Sequence, residues 1–176
     1  IFDENIQYVV EEAFQWGYSK YQPQSISAVV IDPKNGEILA LANYPSFNPN
    51  RFNQISNPEV LQNTAVSYQF EPGSSFKVVA MAAALEEQKI KETDVFNCNN
   101  GEITYHTVHF RDTSRNNDLT VRGILERSSN VGMVKIADLI GKNTMFNYIR
   151  RFGFLEKKNL ELSGERVSEL RSVDKW

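Results

Sequence analysis

Cysteine is nearly absent from these 176 residues. Cys98 stands alone, so neither an intrachain disulfide nor a cysteine-built zinc site can form. A lone thiol is compatible with an oxidising compartment without requiring one, and its plain reading is a small, semi-buried residue beside a loop. Long apolar runs are missing too. The longest, about Val78 to Leu85, is far short of the roughly 20 residues that cross a bilayer. The opening Ile1-Phe2-Asp3-Glu4 carries no basic segment, so no signal peptide is read there. Nor is there an excess of positive charge: 19 Lys and Arg against 22 Asp and Glu leave a net −3, with no basic cluster to meet nucleic acid. Gly141-Lys142 lacks the upstream glycine of a phosphate-binding loop and is followed by Asn143. His106 and His109, three apart in an expected strand, point to opposite faces and have no cysteine to complete a metal site. No repeat, low-complexity tract or Pro/Gly-rich linker divides the chain.

What is present reads as a globular α+β protein. Apolar residues at Ile6, Val9, Val10, Ala13, Phe14 and Tyr18 recur at the helical period and predict a helix over Asn5–Tyr18. Two β-branched, alternating runs, Ser25–Ile31 and Glu37–Asn43, flank Asp32-Pro33-Lys34-Asn35-Gly36, a strong hairpin signal. Both faces of the return strand are apolar, so the hairpin is expected inside a sheet covered by helices. Tyr44–Phe70 is irregular. Ser74–Gln88 then predicts a helix that is apolar on every side except at Lys77, the signature of a buried helix. A weak strand is expected over Ile103–Phe110, then three short helices over Leu119–Arg127, Val131–Ile140 and Asn143–Phe152. The tail from Glu156 is polar and turn-rich.

The start of the buried helix carries the chemistry. Ser74 and Lys77 are three apart, so on a helix their side chains leave one face about a turn apart. A serine at a helix N-terminus lies among backbone N–H groups with no intrahelical acceptor, at the positive end of the macrodipole, where a developing alkoxide or oxyanion is favoured. Burial of Lys77 favours its neutral amine, which can take a hydroxyl proton. The alternative for Ser74 is a plain helix cap. A second Ser-x-x-Lys, Ser172 to Lys175, lies in the polar tail without a following apolar helix and is read as accidental. Ser128-Ser129-Asn130 falls between two expected apolar helices, where a short loop can present side chains; its plain alternative is Ser128 or Ser129 as an N-cap.

Ser-x-x-Lys with a later Ser-x-Asn occurs in penicillin-binding proteins and class A β-lactamases. The wider text narrows this: Ala40-Leu41-Ala42-Asn43-Tyr44-Pro45-Ser46-Phe47-Asn48-Pro49-Asn50, Phe70-Glu71-Pro72-Gly73-Ser74-Ser75-Phe76-Lys77, and Leu119-Thr120-Val121 leading to Ser128-Ser129-Asn130-Val131-Gly132. From about Asn5 to Trp176 the chain resembles the transpeptidase domain of class B penicillin-binding proteins, with Ser-Ser-Asn-Val-Gly nearest the septal, cell-division branch. The resemblance implies an antiparallel five-stranded sheet covered by helices beside a helical subdomain. It implies that Ser74 is the acylated nucleophile, Lys77 its general base, Ser128 a proton relay to the leaving amine, and Asn130 a hydrogen-bond partner of the substrate's peptide amide. The implied substrate is a peptidoglycan stem peptide ending in D-Ala-D-Ala, with β-lactams acylating the same serine and no cofactor or metal. Division-complex proteins are the implied partners of a protein anchored at the outer face of the bacterial cytoplasmic membrane; this segment itself is expected to touch neither membrane nor nucleic acid.

One departure stands out. No lysine here is followed by Thr-Gly or Ser-Gly, the family's third motif, which binds the substrate carboxylate from an inner strand. The expectation is therefore that residues 1–176 are the N-terminal portion of a transpeptidase domain, cut to the hairpin and helical subdomain and inactive alone. A β-lactam receptor that stays acylated and signals, or a non-catalytic assembly module of the division complex, is the alternative. A β-lactamase is disfavoured, because no water-activating base is identifiable.

Overall fold

The computed structural model describes residues 2–176, and these group into two compact units. One comprises the described residues up to Gln69 together with Lys157–Arg166. Its first helix, α1 (Glu4–Tyr21), is capped by Asp3, whose carboxylate accepts from the N–H groups of Asn5 and Ile6 at 3.0 Å each. Strands β1 (Ile26–Ile31) and β2 (Ile38–Tyr44) pair antiparallel, with Ile26 opposite Tyr44 and Val30 opposite Ala40. The turn closes where Gly36, at φ +79°, donates to the Asp32 carbonyl at 2.8 Å. Helix α1 packs along β2, and the Gln7 amide both donates to the Leu41 carbonyl and accepts from the Leu41 N–H, at 3.1 and 3.0 Å. A side chain thus satisfies backbone groups that a neighbouring strand would otherwise take. Among the described residues this sheet has two strands, and Val29 and Ile31 on one face are 41% and 51% exposed. The expectation of helices over both apolar faces is thus not met within these residues. Short turns of 3₁₀ helix and α2 (Thr64–Ser67) occupy the irregular segment, where Asn43 gathers Thr64 and Ala65 by accepting from both, at 2.7 and 2.9 Å.

The second unit comprises Phe70–Glu156 and Val167–Trp176. Its centre is α3 (Lys77–Glu86), which buries Val79, Ala80, Met81, Ala83 and Ala84. Small side chains let α3 lie close against α5 (Asn130–Arg151), the main pairing of this unit. Val121 and Ile124 of α4 (Val121–Glu126), with Ile90 and Cys98, close the core. Cys98 is therefore fully buried, deeper than its sequence suggests. Two small antiparallel pairs flank the helices: β3 (Val95–Asn97) with β6 (Asp118–Thr120), and β4 (Glu102–Tyr105) with β5 (Val108–Arg111).

Two local expectations are corrected and a third is met. The predicted single strand over Ile103–Phe110 is a hairpin, because His106 turns the chain in the left-handed region at φ +51°. Leu119 belongs to β6, and the helix starts only after Thr120, whose hydroxyl accepts from the Gly123 N–H at 3.0 Å and caps it. The second and third predicted helices are the two parts of α5, separated where expected by the non-helical Gly141 (φ +71°, ψ 161°).

Candidate active site

Four sequence-selected residues, Ser74, Lys77, Ser128 and Asn130, fall in the second unit, at the ends of elements that its core fixes. Ser74 does not start an α-helix, as its sequence suggested. It lies in a turn of 3₁₀ helix, Gly73–Phe76, and α3 begins at Lys77. Gly73 at φ +60° redirects the chain into this turn. Residues three apart eclipse each other in a 3₁₀ turn, so Ser74 and Lys77 leave the chain on one side. Ser74 is exposed, while the neighbouring Ser75 hydroxyl is engaged with the Pro72 carbonyl at 2.5 Å.

The Lys77 ammonium reaches across to the loop between α4 and α5. It donates to the Ser128 carbonyl at 2.5 Å and to the Ser128 hydroxyl at 3.0 Å. Burial holds the Lys77 pKa below the usual lysine value, partly countered by the negative charge of Asp112. Ser128 itself sits in the left-handed region at φ +53°, an uncommon conformation for a residue with a Cβ. Backbone bonds hold it there: Ser128 N–H donates to the Leu125 carbonyl at 3.1 Å, and Ser129 N–H to the Ile124 carbonyl at 2.9 Å.

Ser129, not Ser128, caps α5. Its hydroxyl accepts from the Gly132 N–H at 3.0 Å, which leaves Ser128 available to Lys77. The Asn130 side-chain amide donates to the Arg111 carbonyl at the end of β5, at 2.8 Å. Among the described residues its second N–H and its carbonyl oxygen have no hydrogen-bond partner. Beside these groups runs an open, apolar groove of about 260 Å³, lined by Gly73, Phe76, Lys77, Phe110, Asn130 and Met133 among others.

One residue escaped the sequence reading. Asp112, just past β5, is buried and accepts from Asn116 Nδ2 (3.0 Å), Ser129 Oγ (2.7 Å), Asn130 N–H (2.6 Å) and Val131 N–H (3.0 Å). Burial alone would raise its pKa, but the hydrogen bonds from Asn116, Val131, Ser129 and Asn130 together hold it below the usual carboxylate value. In the sequence Asp112 opens a polar stretch, Thr113-Ser114-Arg115-Asn116-Asn117, and reads as an ordinary turn residue.

His106 and His109 are both exposed, His106 in a turn and His109 on β5. Among the described residues no group of three His, Cys, Asp or Glu side chains is placed to hold a metal ion. Among the same residues no helix is long and apolar enough to cross a membrane.

On this α+β frame the 3₁₀ turn that carries Ser74, the lysine that follows it and the Ser128-Ser129-Asn130 loop bonded to that lysine are neighbours within one unit. Residues 26–176 match the family model of the penicillin binding protein transpeptidase domain, and the chain belongs to that family. It is 36% identical over 176 residues to the probable peptidoglycan D,D-transpeptidase PbpC of Pseudomonas aeruginosa, covering 99% of this chain and 31% of that protein. It is 33% identical over 174 residues to the peptidoglycan D,D-transpeptidase FtsI of Escherichia coli K12, covering 99% of this chain and 29% of that one. Penicillin binding protein 3 of Mycobacterium tuberculosis, solved in complex with ampicillin, superimposes with a TM-score of 0.90 at 31% identity, covering 99% of this chain and 39% of that one. The fold is thus that of the penicillin-binding-protein transpeptidases, and the chain spans about a third of the length of the curated relatives it matches.

Proposed function

We propose that this chain is the N-terminal part of a peptidoglycan D,D-transpeptidase domain that works through a serine acyl-enzyme, and that the whole protein crosslinks stem peptides and is acylated by β-lactams. The observation that carries the reading is the Lys77 side-chain nitrogen held on Ser128, one tight turn along from an exposed Ser74.

In the proposed reaction, neutral Lys77 Nζ takes the Ser74 hydroxyl proton as Oγ attacks the carbonyl carbon of the penultimate D-Ala. The tetrahedral oxyanion is held by the Ser74 backbone N–H and a second donor outside residues 1–176. Collapse breaks the C–N bond, and the departing D-Ala amine takes a proton delivered from Lys77 through the Ser128 hydroxyl. An amine of a neighbouring stem peptide then attacks the ester, its proton returns along the same path, and the Ser74 hydroxyl is restored. Asn130 hydrogen-bonds the peptide amide of the stem, and the apolar groove beside it takes the alanine methyl groups. A lowered Lys77 pKa suits this cycle, since the base must start neutral. The proposed setting is the outer face of the bacterial cytoplasmic membrane, with division-complex proteins as partners of the whole protein.

The test uses the full-length protein. Intact mass spectrometry is expected to show the gain of one penicillin, lost in Ser74→Ala; labelling that persists in the variant refutes the assignment. Release of D-Ala from a stem-peptide analogue separates an enzyme from a receptor that only becomes acylated, because a receptor releases none.

A further inference from the structure

We infer that Asp112 is a positioning residue of this site: its buried carboxylate ties the end of β5 to the first turn of α5 and so sets Ser128 and Asn130 against Lys77. The inference rests on the acylation reading of Ser74, Lys77, Ser128 and Asn130.

The geometry is that of a hub. One oxygen of Asp112 accepts from the consecutive N–H groups of Asn130 and Val131, at 2.6 and 3.0 Å. The other accepts from the Ser129 hydroxyl at 2.7 Å and the Asn116 amide at 3.0 Å. The N–H groups at a helix start have no partner within the helix, and a carboxylate there both satisfies them and meets the positive end of the dipole. The preceding residue, Arg111, receives the Asn130 side chain on its carbonyl at 2.8 Å. Two consecutive residues of the β5 end therefore fix Asn130 at both its backbone and its side chain, and Ser128 is two residues away on the same loop.

Asp112 also acts on Lys77 directly. Among the described residues its charge is the one that bears on the Lys77 amine; the groups beside it, the Ser128 carbonyl and hydroxyl with Phe76, Phe110 and Met133, carry none. The anion favours the protonated lysine, opposing the burial that favours the free amine. Position and charge thus come from one residue, and two variants separate them.

Asp112→Asn keeps the shape and removes the charge. An amide at position 112 can still accept from Asn130 and Val131 while donating to Ser129 Oγ. Asn116 has a buried Oδ1 without a partner that a flipped amide would turn toward the new N–H₂. Asp112→Ala removes the hub itself. The experiment measures the acylation rate of the full-length protein by fluorescent penicillin across pH, with circular dichroism as a check on folding. For Asp112→Asn the rising limb of rate against pH is expected to move to lower pH, because the lysine loses its nearby anion. For Asp112→Ala the plateau rate is expected to fall by about ten- to a hundredfold, the scale of a misplaced catalytic group. A folded Asp112→Ala with the wild-type plateau rate, or an Asp112→Asn profile that coincides with the wild type, overturns the inference. A failure of the site reading is distinguishable, because labelling would then survive Ser74→Ala whatever happens at position 112.

Discussion

Gly132 is where the packing of this unit bears most directly on the site, and replacing it with alanine gives a sharp expectation. A Cβ at position 132 would lie 2.6, 2.7 and 2.8 Å from Ile124 Cγ1, Cδ1 and Cγ2. Ordinary carbon contacts are about 3.5–4.0 Å, so a single methyl overlaps three atoms by roughly 1 Å. Ile124 is fully buried and cannot swing into solvent. Overpacking of this kind costs about 1–3 kcal/mol. Against it stands a helix-propensity gain from Gly to Ala of at most about 1 kcal/mol. Even against the full propensity gain the steric cost leaves a net loss of up to about 2 kcal/mol, or up to about 8 °C in the thermal transition of this domain. The easiest relief is for the first turn of α5 to move away from α4, which displaces Ser128 and Asn130 from Lys77. A shift approaching 1 Å is worth about a hundredfold in rate, so acylation should suffer more than stability. The check is a double-mutant cycle. Ile124→Ala alone removes the three clashing atoms and costs about 2–5 kcal/mol as a cavity. Combined with Gly132→Ala it should cost less than the sum, by about 1 kcal/mol or more, because the new methyl fills space the isoleucine leaves. Strict additivity, with a wild-type acylation rate in Gly132→Ala, would refute the reasoning.

Two further expectations follow from the same contacts. Ser129→Ala removes both the α5 cap and a hydrogen bond to a buried carboxylate; with about 1 kcal/mol for the cap and about 1.5–3 for the charged bond, urea unfolding should show a loss of about 2.5–4 kcal/mol, and a loss under about 0.5 would contradict the capping account. The Lys77 pKa is lowered by burial, so its base form accumulates at lower pH than an ordinary lysine's. Acylation by penicillin should therefore rise with pH and level off below the ordinary lysine value of about 10.4, whereas a rate still climbing at that value would contradict it.

Much of this was legible in the sequence, and the reasons are physical. The all-round apolar run after Lys77 can only be a buried helix, and α3 is the centre of the core. The hairpin turn forms where Asp32-Pro33-Lys34-Asn35-Gly36 predicts it, with Gly36 supplying the left-handed residue that closes it on Asp32. Helical spacing predicts Ser74 and Lys77 on one side of the chain; the structure winds that turn as 3₁₀ and gives the Lys77 amine to Ser128. What escaped depends on contacts distant in the chain. Ser128 and Ser129 were interchangeable as caps until Asp112, 17 residues upstream of Ser129, took the Ser129 hydroxyl and the N–H groups after it. No local pattern marks Asp112, because a hub for four donors looks in sequence like any aspartate opening a turn. The left-handed turn at His106 was hidden for a similar reason: neither Gly nor Asn stands there to announce it.

The central claim is that one hydroxyl, that of Ser74, becomes the ester. The most direct test is fragment-ion mapping of the full-length protein after reaction with penicillin. Trypsin releases Phe52–Lys77, a peptide that carries Ser56, Ser67, Ser74 and Ser75. The adduct is expected on Ser74, with none on Ser75, whose hydroxyl is committed to the Pro72 carbonyl. An adduct on Ser75, or on any serine outside this peptide, would contradict the account.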